Sequence, residues 1–104
     1  MIVEERIYTL YPGKSAEYLR LYEEEGLEVQ KRILGRMVGY FTTEIGPLNQ
    51  IIHMWGYDSF EERTRRRAEL FKDPTWLAYV QKIRPFVMKQ ENKILLPTSF
   101  SPIQ

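Results

Sequence analysis

The amino-acid sequence predicts an α+β fold in which helices cover one face of a four-stranded antiparallel sheet. Three observations predict it: strand-like runs near both ends, a β-hairpin in the middle, and helical patterns on either side of that hairpin. The chain of 104 residues is short enough to form a single domain, residues 1–104. Its 43% hydrophobic content is ordinary for a globular protein.

The first predicted strand is Ile2–Leu10, and Pro12-Gly13 ends it. A helix should begin near Lys14 or Ser15. Its apolar stripe falls on Tyr18, Leu21, Tyr22, Val29 and Ile33. Gly26 lies inside this stripe and predicts a bend or a break, with a second piece from Leu27 to Leu34 and Gly35 as its C-terminal cap.

The hairpin consists of a strand at 36–45, a turn at Gly46–Asn49 and a strand at 50–57. Side chains alternate between the two faces of a strand. In the second strand one face carries Ile51, His53, Trp55 and Tyr57, and the other carries Ile52, Met54 and Gly56. We expect the Ile52 face to pack under the helices.

Two helices and a strand should follow the hairpin. Ser59 and Glu62 have the spacing of a capping box, which predicts a helix running to about Lys72. Its expected apolar anchors are Phe60, Ala68 and Phe71. The arginines at 63, 65, 66 and 67 could bind an acidic partner, but we expect them to form a solvated face.

Asp73-Pro74 then predicts the start of another helix. The expected buried stripe of this helix is Trp76, Leu77, Val80 and Ile83. A final strand is predicted within 86–96, and 98–104 reads as a tail or arm.

This order of elements is the split βαβ, ferredoxin-like pattern. The sheet face opposite the helices would then carry Arg6, Tyr8, His53, Trp55 and Tyr57. Such a face is too aromatic to be left in water. We therefore expect a homodimer whose two sheets form a barrel and enclose a cavity.

Composition argues against several classes of protein. A net charge of +1 gives no reason to expect nucleic acid as a partner, and no apolar run approaches the roughly 20 residues of a membrane span. Without cysteine and with a single histidine, no metal site or cofactor is expected. The sequence contains neither the GxxxxGK phosphate-binding loop nor the GxGxxG dinucleotide-binding motif. Met1-Ile2-Val3 leads directly into a strand rather than a leader peptide, which favours the cytoplasm.

Three stretches, residues 8–14, 35–57 and 90–98, resemble the NIPSNAP family, and the match covers nearly the whole chain in order. NIPSNAP proteins are similar to the dimeric α/β-barrel group. That group includes cofactor-free monooxygenases, haem-degrading enzymes, isomerases and many proteins of unassigned role. The resemblance implies the same fold and a dimer, and it supplies no agreed catalytic set.

His53 is the first candidate for chemistry, because an unperturbed imidazole is suited to act as a general base. The alternative is a histidine that only hydrogen-bonds to a neighbouring strand or to the second subunit. Arg6 could hold a carboxylate or phosphate in two-point fashion. Glu44 could orient His53 or pair with Arg6, and Glu91 is another possible partner for Arg6. Arg6 and Glu44 could equally be an ordinary ion pair or rim charges.

Aromatic side chains give the second set of candidates. Tyr8, Tyr40, Trp55 and Tyr57 could stack on a flat aromatic or isoprenoid ligand, or could serve only packing and dimer contacts. A β-bulge near Gly39 would exchange Tyr40 and Thr42 for Phe41 and Thr43 on this face. Two functions stay open: a protein that binds a small apolar or aromatic ligand, and a cofactor-independent monooxygenase or isomerase that uses His53 as its base.

Overall fold

A computed structural model describes all residues, 1–104, as one sheet with helices packed against one of its faces. The strands are β1 (Ile2–Leu10), β2 (Arg36–Thr42), β3 (Gln50–Tyr57) and β4 (Val87–Leu95). The helices are α1 (Ser15–Leu21), α2 (Leu27–Leu34), α3 (Phe60–Leu70) and α4 (Pro74–Ile83). A π-helical turn, Tyr22–Gly26, joins α1 to α2, and a 3₁₀ turn, Arg84–Phe86, joins α4 to β4.

The strand order is β2-β3-β1-β4, and every neighbouring pair is antiparallel. This confirms the predicted α+β, ferredoxin-like fold. The expected proximity of β1 and β3 is also confirmed, with Arg6 directly opposite His53. A bulge does occur in β2, between Met37 and Gly39, but Tyr40 remains opposite His53, so the expected exchange does not take place.

The prediction of which sheet face the helices cover is wrong. The covered face carries Ile51, His53, Trp55 and Tyr57, each at most 1% exposed. We attribute this orientation to the size of the side chains. Two large aromatic rings and an isoleucine remove more apolar surface from water than Ile52, Met54 and a glycine would. Arg6 and Tyr8 of β1 lie beneath the helices as well.

The first helical region matches its predicted stripe, since Tyr18, Leu21, Tyr22, Val29 and Ile33 are all buried. At Gly26 the chain does not break, because the π-helical turn carries α1 directly into α2, which spans Leu27–Leu34 as predicted. β2 ends at Thr42, three residues earlier than predicted, and residues 43–49 form an irregular connection.

α3 presents a different face to the core from the one predicted. Phe60 and Phe71 are about half exposed, whereas Leu70 is fully buried. Arg63 also turns inward and forms an ion pair with Glu4 at 2.7 Å. The expectation of a wholly solvated arginine face is therefore wrong, because a charged side chain can be buried where an opposite charge meets it.

The helix caps agree with the sequence in one detail and differ in another. The Ser59 side chain accepts a hydrogen bond from the Glu62 backbone N–H at 3.1 Å, as predicted. Glu62 reaches back to the backbone N–H of Asp58 rather than that of Ser59. In α4, Leu77 is exposed and Tyr79 is buried in its place, which brings a further tyrosine under the sheet.

Candidate functional site

A cavity of about 410 Å³ lies between the covered face of the sheet and the helices. This volume falls in the range of about 300–1,000 Å³ that is usual for small-molecule sites. The lining residues are Arg6, Tyr8, Tyr18, Tyr22, Gln30, Tyr40, His53, Arg67, Phe71, Trp76, Tyr79, Val80, Ile83, Arg84, Val87, Met88, Lys89 and Gln90. We refer to this space as the sheet–helix cavity.

The cavity lies inside a single chain, and not between two copies as the sequence had led us to expect. Of the predicted site residues, Arg6, Tyr8, Tyr40 and His53 line it. Trp55 is fully buried but does not line it, and the same holds for Tyr57, which is placed with Trp55 in the hydrophobic core. Glu44 is exposed in the connection between β2 and β3 and forms no ion pair.

The ring of His53 is held by three neighbours. The Trp55 indole Nε1–H donates a hydrogen bond to His53 Nδ1 at 2.7 Å. Tyr40 stacks on the imidazole with ring centroids 4.9 Å apart, and Tyr8 meets it edge-on at the same centroid distance. An indole nitrogen can only donate, so His53 Nδ1 must be the unprotonated nitrogen and the proton of the neutral ring is on Nε2.

His53 is neutral at physiological pH. Burial lowers the pKa of its imidazole to about 3, and the positive charges of Arg6 and Arg67 act in the same direction. Its Nε2 is buried and has no hydrogen-bond partner within the chain. The ring therefore offers an unpaired N–H donor at the wall of the cavity.

Glu4 is the counter-ion of Arg6. Its Oε2 accepts hydrogen bonds from Arg6 Nη1 at 3.1 Å, Arg63 Nη2 at 2.7 Å and Asn92 Nδ2 at 2.9 Å. Burial by itself raises the pKa of the Glu4 carboxyl, but the hydrogen bonds from Arg63 and Asn92 and the charge of Arg6 lower it to about 2. This ionised carboxylate fixes Arg6, whose Nε also donates to the Tyr8 hydroxyl at 2.9 Å.

Neither of the acids predicted to partner Arg6 does so. Glu44 forms no ion pair with Arg6, and Glu91 pairs with Lys89 instead, at 2.9 Å. Glu4 lies two residues from Arg6 on the same strand face, so both side chains turn toward the helices. The alternation of side chains along β1 could have identified Glu4 as the partner of Arg6, because residues two positions apart on a strand share a face.

Aromatic rings form most of the remaining wall. Tyr22 stacks on Tyr40 with ring centroids 4.6 Å apart, and Tyr79 meets Tyr22 edge-on at 5.9 Å. Burial raises the pKa of the phenols of Tyr40 and Tyr79 far above the physiological range, and burial raises that of Tyr18 to about 12. All three hydroxyls are therefore un-ionised at neutral pH and bring no negative charge to the cavity.

Several lining residues were missed by sequence reasoning. Tyr18 and Tyr22 were assigned only to the core, Tyr79 was overlooked, and Arg67 was assigned to a solvated surface. The structure brings together no group of three or more His, Cys, Asp or Glu side chains that could hold a metal ion. None of its helices has the length and apolar character needed to cross a lipid bilayer.

A family model and curated relatives both match this chain to the same protein family. The NIPSNAP family model matches residues 3–102. A NipSnap homolog from Dictyostelium discoideum is 37% identical over 94 residues, which are 90% of this chain and 41% of that protein. The chain thus spans less than half the length of this relative.

Solved structures extend the comparison to the fold. A NIPSNAP family protein from Agrobacterium tumefaciens is 51% identical, with a TM-score of 0.97 over 99% of this chain and 98% of that one. An antibiotic biosynthesis monooxygenase is 13% identical, with a TM-score of 0.67 over 94% and 99% of the two chains. The second likeness shows a shared fold only.

Proposed function

Because the chain belongs to the NIPSNAP family, a family of unassigned biochemical role, we propose a function from its own geometry: it binds a small aromatic or otherwise apolar molecule in the sheet–helix cavity. The observation that carries this proposal is the cavity of about 410 Å³, lined by eighteen residues of which eleven are hydrophobic. Enclosed apolar pockets with a few convergent polar groups are the usual form of small-molecule sites.

Two polar groups of the cavity wall are firmly held. Arg6 is fixed by Glu4 and Tyr8, and His53 by Trp55. Groups whose rotamers are locked before a ligand arrives lose little conformational entropy when it binds. This preorganisation supports a recognition role for the cavity over a purely structural one.

A cavity-filling substitution tests the proposal. Val80 lines the cavity from α4, whereas Leu77 on the same helix is exposed and does not. We expect wild-type protein and Leu77→Trp to bind the neutral aromatic probe 2-naphthamide saturably in isothermal titration calorimetry. Val80→Trp should weaken that binding by about tenfold or more, because the indole occupies the space. Equal binding by Val80→Trp and wild-type protein, or no saturable binding of either 2-naphthamide or its anionic analogue 2-naphthoate by any of the three, would contradict the proposal.

A second candidate is an enzyme, a cofactor-independent monooxygenase or isomerase that acts on the bound molecule. The fold shared with an antibiotic biosynthesis monooxygenase and the neutral His53 in the cavity wall support it. A general base must offer a lone pair, however, and the Nδ1 lone pair of His53 accepts the bond from Trp55. Mass spectrometry can identify a molecule that copurifies with the His53→Gln variant. Conversion of that molecule into a product by the wild-type protein would favour the enzyme.

We also propose that the protein forms a homodimer and is located in the cytoplasm. Since the helices cover the His53 face, the sheet surface available to a second copy is the opposite one, which bears the partly exposed Ile7, Ile52 and Met54. The cysteine-free composition is consistent with a reducing compartment such as the cytoplasm. Cell fractionation with an antibody to the protein tests the location.

A further inference from the structure

We propose that the ligand of the sheet–helix cavity is an aromatic anion, a carboxylate or a chemically similar oxyanion, whose charge is met by Arg67. This inference rests on the proposed binding function and names the class of ligand. It follows from the balance of charges around the cavity, from the lack of a partner for Arg67, and from the excess of hydrogen-bond donors in the wall.

The cavity wall is positively charged. Four of its lining side chains are cationic and none is acidic; the four are Arg6, Arg67, Arg84 and Lys89. Glu4 lies behind the wall and is already shared between Arg6 and Arg63. Arg84 and Lys89 are exposed, whereas Arg6 and Arg67 are partly buried, and partly buried charges interact more strongly than charges in water. A neutral ligand would leave this excess uncompensated, whereas an anion would balance it.

Two of the four cations, Arg67 and Arg84, lack a partner, and of these Arg67 is partly buried whereas Arg84 is exposed. Arg6 is committed to Glu4 and Tyr8, and Lys89 pairs with Glu91 at 2.9 Å. The guanidinium of Arg67 forms no ion pair or hydrogen bond within the chain; it lies over the Phe71 ring at 5.5 Å. Burial lowers the pKa of Arg67, and the nearby charge of Arg6 lowers it further, which indicates a charge held in an unfavourable place. Its planar fork of donors matches a carboxylate.

The buried polar atoms of the wall that lack a partner are all able to donate, and they are His53 Nε2, Trp76 Nε1 and the Tyr79 hydroxyl. His53 Nε2 carries the proton of a neutral ring and has no partner in the chain. Burial raises the pKa of the Tyr40 and Tyr79 hydroxyls, so these two groups are un-ionised and bring no negative charge that would oppose an anion. A ligand with acceptor oxygens at one end and a flat apolar body at the other therefore matches both parts of the wall.

Two probes that differ in charge alone test this in the wild-type protein. 2-Naphthoate and 2-naphthamide share the same ring system, and only the first is an anion at pH 7. We expect 2-naphthoate to bind about tenfold more tightly in calorimetry at low ionic strength, because charge-assisted bonds to arginine are the stronger ones. The difference should shrink as salt is added. Equal affinities would overturn the anion inference and leave the proposed binding function in place.

The Arg67→Gln variant tests whether Arg67 is the residue that binds the anionic group of 2-naphthoate. Arg65→Gln is the matched control, since Arg65 lies on the same helix, is exposed and does not line the cavity. We expect Arg67→Gln to lose most of the preference for 2-naphthoate while binding 2-naphthamide within about twofold of wild type. Arg65→Gln should keep the preference.

The outcomes separate the two proposals. An equal loss of both probes in a folded Arg67→Gln protein, judged by its circular dichroism, would overturn the role of Arg67. An unchanged preference in that variant would do the same. Failure of both probes to bind the wild-type protein would contradict the proposed function itself, and the anion inference with it.

Discussion

His53 lies where a hydrogen bond from Trp55, a stacked Tyr40 and an edge-on Tyr8 meet. Each contact removes a freedom that an exposed histidine has. The hydrogen bond fixes which nitrogen holds the proton, and the two rings fix the plane of the imidazole. Burial removes the water that would stabilise its charge. The result is a neutral donor rather than the titrating base that an isolated histidine suggests.

The stability of the protein should fall as pH drops through the range from 6.5 to 5 because of His53. The unfolded imidazole takes up a proton near its ordinary pKa of 6.5, whereas the folded one does so only near 3. Between these values the unfolded state binds more protons, so acid favours unfolding. We expect the free energy of unfolding in urea to be about 2 kcal/mol lower at pH 5 than at pH 7.

His53→Gln serves as the control, because it removes the group that titrates. Carboxylates add little in this window, since even an unperturbed glutamate titrates near 4.5 and Glu4 near 2. A wild-type protein equally stable at both pH values, or a His53→Gln protein with the same pH dependence as wild type, would contradict the prediction.

Glu4 and Glu5 are adjacent on β1 and give a matched pair of substitutions. Glu4 is fully buried and forms ion pairs with both Arg6 and Arg63. Glu5 points to the other face and meets Lys93 at 3.5 Å. Removing one member of a buried ion pair leaves an uncompensated charge, so Glu4→Gln should cost about 3–5 kcal/mol of unfolding free energy. Glu5→Gln should cost about 0–1 kcal/mol.

Chemical denaturation of both variants measures this difference. Probe binding offers a second measurement, because Arg6 loses its anchor in Glu4→Gln and keeps it in Glu5→Gln. Similar stabilities for the two variants would show that the network around Glu4 contributes no more than a surface pair.

Among the elements, the π-helical turn between α1 and α2 and the bulge in β2 bring two tyrosines together. The turn presents Tyr22 to the cavity, and the bulge is followed by Tyr40, on which Tyr22 stacks at 4.6 Å. Gly26 ends the turn where a Cβ would lie 3.1 Å from the rings of Tyr22 and Tyr79. The absent side chain thus lets α4 approach, and π-helical turns are often found at functional sites.

The elements themselves were largely predictable from the sequence, because strands, caps and turns depend on local patterns. The covered face of the sheet was not. Alternation states that His53 and Trp55 share one face and Ile52 and Met54 the other, but both faces are apolar enough to pack under helices. Which face the helices cover depends on the apolar side-chain area buried over the whole core, and this total cannot be read from one strand.

The candidate site was half predictable for the same reason. Arg6, Tyr8, Tyr40 and His53 stand out as polar or aromatic residues on strands. Arg67 does not, since it lies in a run of arginines on a helix that looks solvated. Similarly, Arg63 finds its partner Glu4 59 positions away in the chain. Pairings of this kind arise from the docking of α3 on the sheet and are invisible to local pattern.

For the molecule as a whole, the sheet has one face under its helices and one that they leave free. The free face carries partly exposed apolar side chains of the two central strands, Ile7 of β1 and Ile52 and Met54 of β3. It also carries both signs of charge in the pair of Glu5 and Lys93. A surface that is apolar at its centre and bears both charges can meet a second copy of itself around a two-fold axis.

Light scattering of the purified protein should therefore give twice the chain mass of 12.5 kDa. Ile52 lies opposite Ile7 in the middle of the free face, so Ile52→Glu would bury two carboxylates across the two-fold axis and should yield a folded monomer. Leu77→Glu, a like change on the exposed side of α4, should remain dimeric. Probe binding should survive in monomeric Ile52→Glu, because the cavity lies within one chain. A monomeric wild-type protein at micromolar concentration would contradict the dimer, and loss of binding on dissociation would show that the second copy completes the site.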